Sequence, residues 1–171
     1  MKLLWTLVLI FAVITGGWAP AQQADDVTML KEKIIDFQNA DPLGIRLFIA
    51  CSEVKGYGTY VARPDNRIRE GDTVVFYFEP KNLFTKREAG MYEIAYTADI
   101  VILAANTQEV YVQKDAVSVQ QKSASPRMDL YGTFKFTFER IVPGKYVVKT
   151  ILHDKLKGQS AEAIWPLEVT K

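Results

Sequence analysis

Thr73-Val74-Val75-Phe76-Tyr77-Phe78-Glu79 is the stretch on which the fold turns. Val74, Phe76 and Phe78 fall on one side of an extended chain and Val75, Tyr77 and Glu79 on the other, the period of two that a pleated strand imposes. The same grammar returns where Phe134, Phe136 and Phe138 oppose Lys135, Thr137 and Glu139. It returns again where Tyr92, Ile94, Tyr96, Ala98, Ile100 and Ile102 oppose Glu93, Thr97 and Asp99. Such alternation predicts strands with one face buried and one face wet.

Outward from that stretch, strand-like runs are expected at 45–51, 58–61, 73–79, 92–103, 109–113, 130–138, 145–153 and 161–169. Glycine punctuates them at Arg69-Glu70-Gly71-Asp72, Pro143-Gly144 and Lys157-Gly158-Gln159, where a tight reversal needs it. Helical periodicity does not recur between the runs, which disfavours a parallel α/β sheet and favours antiparallel sheets packed face to face. The expected fold is mainly β, an antiparallel β-sandwich of seven to eight strands. The polar interval 113–129 is expected to be an exposed, mobile connection in which Val117 and Val119 pair briefly.

One helical pattern precedes the strands. Val27, Leu30, Ile34 and Phe37 recur at steps of three and four, so a short amphipathic helix is expected over 26–39, docked on the core or on a partner. Asp25 or Asp26 would cap it, and Asp41-Pro42-Leu43-Gly44 would stop it.

Ahead of the helix, Lys2, the apolar run 3–14, Gly16-Gly17 and Ala19-Pro20-Ala21 read as a cleavable secretory leader over 1–21. The run is shorter than the roughly 20 apolar residues that cross a bilayer, so no membrane span is expected after cleavage. The division expected is leader 1–21, helix and linker 22–44, and β-sandwich 45–171, in a protein that is periplasmic or secreted. An uncleaved tether is the alternative, and intact mass separates the two. A lipid anchor would need a cysteine directly after the leader, and Cys51 lies well beyond it.

The sole cysteine excludes an intramolecular disulfide, so the domain must stand on packing. A content of 49% hydrophobic and 12% aromatic residues allows that, and the roughly 150 residues after the leader are the size of one domain. Lys and Arg total 21 against 20 Asp and Glu, and loss of Lys2 with the leader leaves the signs balanced. No basic surplus recruits nucleic acid or an anionic membrane.

Pro143-Gly144-Lys145-Tyr146-Val147-Val148-Lys149, with Asp154 and Gly158 and the closing Trp165, Leu167 and Val169, resembles the last hairpin of immunoglobulin-like or fibronectin-III-like modules of bacterial exported proteins. The early stretches 51–58 and 69–74 resemble the first strands of exported sandwiches. The resemblance implies a fold and supplies no activity.

Candidate chemistry is sparse. The single histidine, His153, stands beside Asp154 with no G-x-S-x-G elbow to present a serine, and a surface position in the following turn is expected for it. No His pair, Cys pair or calcium-loop pattern is present, so neither metal nor cofactor is expected. Glu79, Glu93 and Asp99 are the carboxylates from which a hydrolase pair would be drawn. Cys51, among apolar neighbours, reads as an inert core thiol.

Two segments offer recognition. In Gly56-Tyr57-Gly58-Thr59-Tyr60, followed by Arg63, Arg67 and Arg69, the tyrosines either present flat faces to a ligand, together with Tyr77, or close the core at a bulge. In the loop 81–90, Leu83 and Phe84 are either tucked beneath charged neighbours or exposed as a protein-contact tip. The expected function is a non-enzymatic exported module that binds a protein or envelope glycan. The alternatives are a carbohydrate-binding module using Tyr57, Tyr60, Arg63 and Tyr77, and a carboxylate-based hydrolase.

Overall fold

The computed structural model describes residues 20–171, with side chains from residue 26 onward. The leader expected over 1–21 falls, but for its last two positions, outside the described residues. Helix α1 (Pro20–Ala40) is followed by β1 (Gly44–Gly56), β2 (Thr59–Ala62), β3 (Arg67–Arg69), β4 (Thr73–Lys81) and β5 (Lys86–Glu88). The chain continues through β6 (Met91–Ala104), β7 (Glu109–Ser123), β8 (Gly132–Thr137), β9 (Gly144–Asp154) and β10 (Ser160–Thr170).

One sheet runs β2-β1-β4-β8; the other runs β3-β10-β9-β6-β5, with β7 added along β6. Every pairing is antiparallel except that of β10 with β3, where Glu168 lies opposite Arg67 and Thr170 opposite Arg69. The strands exceed the expected seven to eight because β3 and β5 are segments of three residues, too short for a period of two to show in the sequence.

The two sheets share one core. Phe48, Ala50, Val74, Phe76 and Phe78 meet Ile94, Tyr96, Ala98, Ile100, Ile102, Val148, Leu152 and Leu167. Phe76 lies at its centre, with ring centroids 5.0 Å from Phe134 and 5.7 Å from both Phe48 and Trp165. Each such buried ring contributes roughly 1.5–3 kcal/mol by leaving water. Gly132 faces Phe78 across the β4–β8 pair, and a Cβ there would lie 2.3 Å from Phe78 Cζ. Any larger residue at 132 would force the buried Phe78 ring to move.

Two expectations need correction. The interval 113–129 is exposed as expected but is a paired strand as far as Ser123, where β7 pairs with β6 from Leu103 back to Tyr92 and bends where Asp115 takes φ 48°; only 124–129 form an irregular connection. Helix α1 begins at Pro20, so Asp25 and Asp26 lie inside it rather than at its cap. Its face is also reversed with respect to the core. Ile35 is 1% exposed, while Val27, Leu30, Ile34 and Phe37 are 48%, 59%, 47% and 76% exposed.

Candidate functional site

On the outer face of the first sheet, the turn between β1 and β2 brings the expected tyrosines together. Tyr60 and Tyr131 flank Tyr77, with centroids 4.8 and 5.6 Å from its ring. The Tyr77 hydroxyl donates to Glu79 Oε1 (2.7 Å) and accepts from the Gly58 N–H (2.9 Å), which the left-handed φ of 64° at Gly58 turns inward. Arg46 Nε donates to Glu79 Oε2 (2.8 Å), and its terminal nitrogen reaches both Glu79 and Tyr57. Burial pushes the Tyr77 pKa well above its ordinary value, outweighing the Gly58 N–H, and its bond to the Glu79 carboxylate adds to the rise. The phenol therefore stays a donor to Glu79 at any physiological pH.

This cluster joins Tyr57, Tyr60 and Tyr77 but does not offer them as a platform. Tyr77 is 0% exposed, closed over by Tyr60 and Tyr131, so no ring can stack on it. Arg63 is half-buried, with its guanidinium bonded to the Arg67 carbonyl (3.1 Å), away from the tyrosine stack.

The loop 81–90 is likewise fastened down. Asp154, itself buried, accepts the N–H groups of Leu156 and Lys157 through Oδ1 (2.9 Å each) and that of Phe84 through Oδ2 (2.8 Å). Asn39, near the end of α1, exchanges two 2.9 Å bonds with the backbone of Thr85. Leu83 is thereby drawn into the core, and Phe84 is half-buried with Lys157 Nζ 6.0 Å from its ring centre. Leu83 thus packs inward rather than forming a contact tip.

The structure also assembles a group that the sequence did not announce. His153 Nδ1 lies 2.8 Å from Ser160 Oγ, and Nε2 lies 3.1 Å from Asp99 Oδ2. Asp99 accepts in addition from Lys114 Nζ (3.0 Å) and the Asp115 N–H (2.8 Å). His153 is therefore a bridging residue rather than one that merely enters a turn. The missing signal was strand register: Ser160 lies opposite His153, and His153 opposite Thr97, two residues from Asp99. The three side chains match a nucleophile, base and orienting carboxylate in kind, but Ser160 is exposed on an open sheet face. Acyl transfer needs a water-excluded hollow with donors converging on the developing oxyanion. The geometry instead satisfies a buried carboxylate. Burial pushes the Asp99 pKa up, and the Asp115 N–H, Lys114 and His153 together draw it below the usual value.

The carboxylate pair for hydrolysis is not assembled. Glu79 engages Arg46 and Tyr77 on the first sheet, whereas Asp99 engages Lys114 and His153 on the second. Glu93 and Asp99 share a face of β6 but are six residues apart, about 20 Å along a strand, against the 5–10 Å that glycoside hydrolysis requires.

A concave apolar site exists elsewhere. At the flank where β7 and β8 border each other, a cleft of about 500 Å³ is lined by Val110, Tyr111, Phe136, Ile141, Val142 and Tyr146, with Glu139 and Arg140 also on its wall. Tyr111 and Phe136 meet edge to face at 4.9 Å and form part of that lining. Val110 and Val142 are exposed at 47% and 74%. Among the described residues β7 pairs only with β6 and β8 only with β4, so both strands turn an unpaired edge to this flank. Volume and lining fall within the range of ligand-binding clefts.

No family model matches the chain, and comparison with curated proteins finds no match. Among solved structures, the chain is similar to a Pseudomonas fluorescens alkylpurine DNA glycosylase bound to DNA containing an abasic site analogue, with 9% identity and TM-score 0.43. That alignment covers 85% of this chain and 36% of the glycosylase, so the chain spans about a third of that protein's length. It is also similar to the PKD domain of an M14-like peptidase from a Thermoplasmatales archaeon, with 14% identity, TM-score 0.39, and 77% and 98% of the two chains covered. A third is the CARDB domain of a Pyrococcus furiosus protein in complex with di-metal ions, with 13% identity, TM-score 0.38, and 75% and 86% covered. At such low TM-scores nothing about function passes from these proteins to this chain.

Proposed function

We propose that this chain is an exported, non-enzymatic module of immunoglobulin-like type that holds an extended apolar segment of a protein partner in the cleft between β7 and β8. The observation that carries the reading is an apolar hollow bordered by two unpaired strand edges. An extended segment laid there gains main-chain hydrogen bonds from an edge and places alternate side chains in the hollow. The leader-like residues 1–21 support export. The glycan reading loses one of its three rings with the burial of Tyr77.

The test is photo-crosslinking in the cell from p-benzoylphenylalanine placed at Val142 or Val110, with Glu162, on an exposed strand face outside the cleft, as control. A discrete adduct from the cleft positions alone is expected. Pairing Val110→Lys with Val142→Glu should lower partner capture at least about tenfold, equivalent to 1.4 kcal/mol. Silence at both cleft positions, or equal adducts at Glu162, would overturn the assignment.

A further inference from the structure

We propose that α1 pairs, parallel and in register, with α1 of a second copy of this chain. The apolar residues Val27, Leu30, Ile34 and Phe37 are separated by three, four and three positions, the a-d-a-d spacing of a coiled-coil seam, and all four are exposed. An ordinary surface helix would turn such a stripe to the domain it covers. This one docks by its opposite side.

The residues that fasten α1 to the sandwich are Glu32, Ile35, Asp36 and Asn39. Glu32 accepts from the Tyr92 hydroxyl (2.8 Å), Asp36 pairs with Arg87, Asn39 clasps Thr85, and Ile35 is buried. In heptad terms with Val27 at a, these occupy positions f, b, c and f. The domain thus holds the back of the helix and turns the a/d seam away from itself.

Charge selects the occupant. Position g of one helix approaches position e of the next heptad in a parallel partner, which sets Asp26 against Lys31 and Lys33 against Gln38. The first pair is complementary and the second is neutral. An antiparallel partner would bring Lys31 toward Lys31 and Lys33 toward Lys33, a like-charge arrangement that counts against it.

Sedimentation velocity of the purified protein, from about 1 µM to about 1 mM, reads the association. The expected result is a rise from monomer to dimer mass across that range. Leu30→Glu with Ile34→Glu, both at exposed sites, should hold the protein at monomer mass with unchanged far-ultraviolet circular dichroism. Under mild oxidation Leu30→Cys should form a disulfide-linked homodimer, because d positions face each other in a parallel pair; Cys51 is buried and does not compete. A wild-type protein that stays monomeric at the highest concentration would overturn the proposal. So would cross-linking of Leu30→Cys with Ile34→Cys in place of the homodimer. Co-sedimentation with phosphatidylglycerol vesicles that Leu30→Glu abolishes, without self-association, would assign the stripe to lipid instead. Val110→Lys with Val142→Glu should leave the dimer intact, so failure of the cleft reading and failure of this one are distinguishable.

Discussion

Asp99, on β6, links the stability of the fold to pH. It is a buried carboxylate satisfied by a backbone N–H, an ammonium and an imidazole, and its pKa is lower in the folded chain than in the unfolded one. A depressed folded-state pKa contributes stability that is present above the unfolded value, near pH 4, and is lost as the pH falls through the folded value. Asp99→Asn should therefore cost about 1–3 kcal/mol at pH 7, by weakening charge-assisted bonds, and should flatten the fall in stability between about pH 4 and pH 2. Urea unfolding at both ends of that range measures the effect; an unchanged acid limb would mean that the network does not hold Asp99 ionised. At this scale the sequence was partly readable. Cys51 was placed from its apolar neighbours, but the meeting of His153 with Ser160 depends on register, which no local pattern encodes.

At the scale of elements, what was legible is what hydrophobic period reports. β4, β6 and β8 announced themselves because alternate residues of each enter the core, but only β8 keeps its other face wet, since Tyr77 and Glu79 of β4 and Thr97, Asp99 and Val101 of β6 are buried on the outer face as well. The C-terminal half of β7 did not, because an edge strand pairs through its backbone and its side chains remain largely outside. β3 and β5 were hidden because three residues are too few to show a period: β5 is wholly charged, and β3 sets the buried Ile68 between two exposed arginines, each strand held by a neighbour's main chain. The helix was readable in existence but not in orientation, since its docking relies on one buried isoleucine among polar clasps. Ile35→Ala should accordingly loosen α1 by roughly 2–3 kcal/mol, the lower part of the cost of emptying a buried aliphatic site, and leave the sheets intact. Hydrogen exchange reads this directly: amides of 28–40 should speed up while those of β6 do not. Equal acceleration in both would show that helix and sheets open together.

The whole molecule can be followed through one atom. Cys51 lies between β2 and β4 in the first sheet, 1% exposed, and burial pushes its pKa up. A thiol reagent such as dithionitrobenzoate should not label it in the folded protein, and should label it in urea with the same midpoint as the loss of tryptophan fluorescence. Labelling in the native state at the rate of a free thiol would contradict the packing of the first sheet. Cooperativity of that kind suits the way the strands are wired. β10 lies between β9 and β3, so the parallel register of Glu168 to Arg67 ties the end of the described chain to a segment a hundred residues earlier. The second layer cannot be sealed until residues 160–170 slot between β9 and β3, which makes its closure a long-range event rather than a local one.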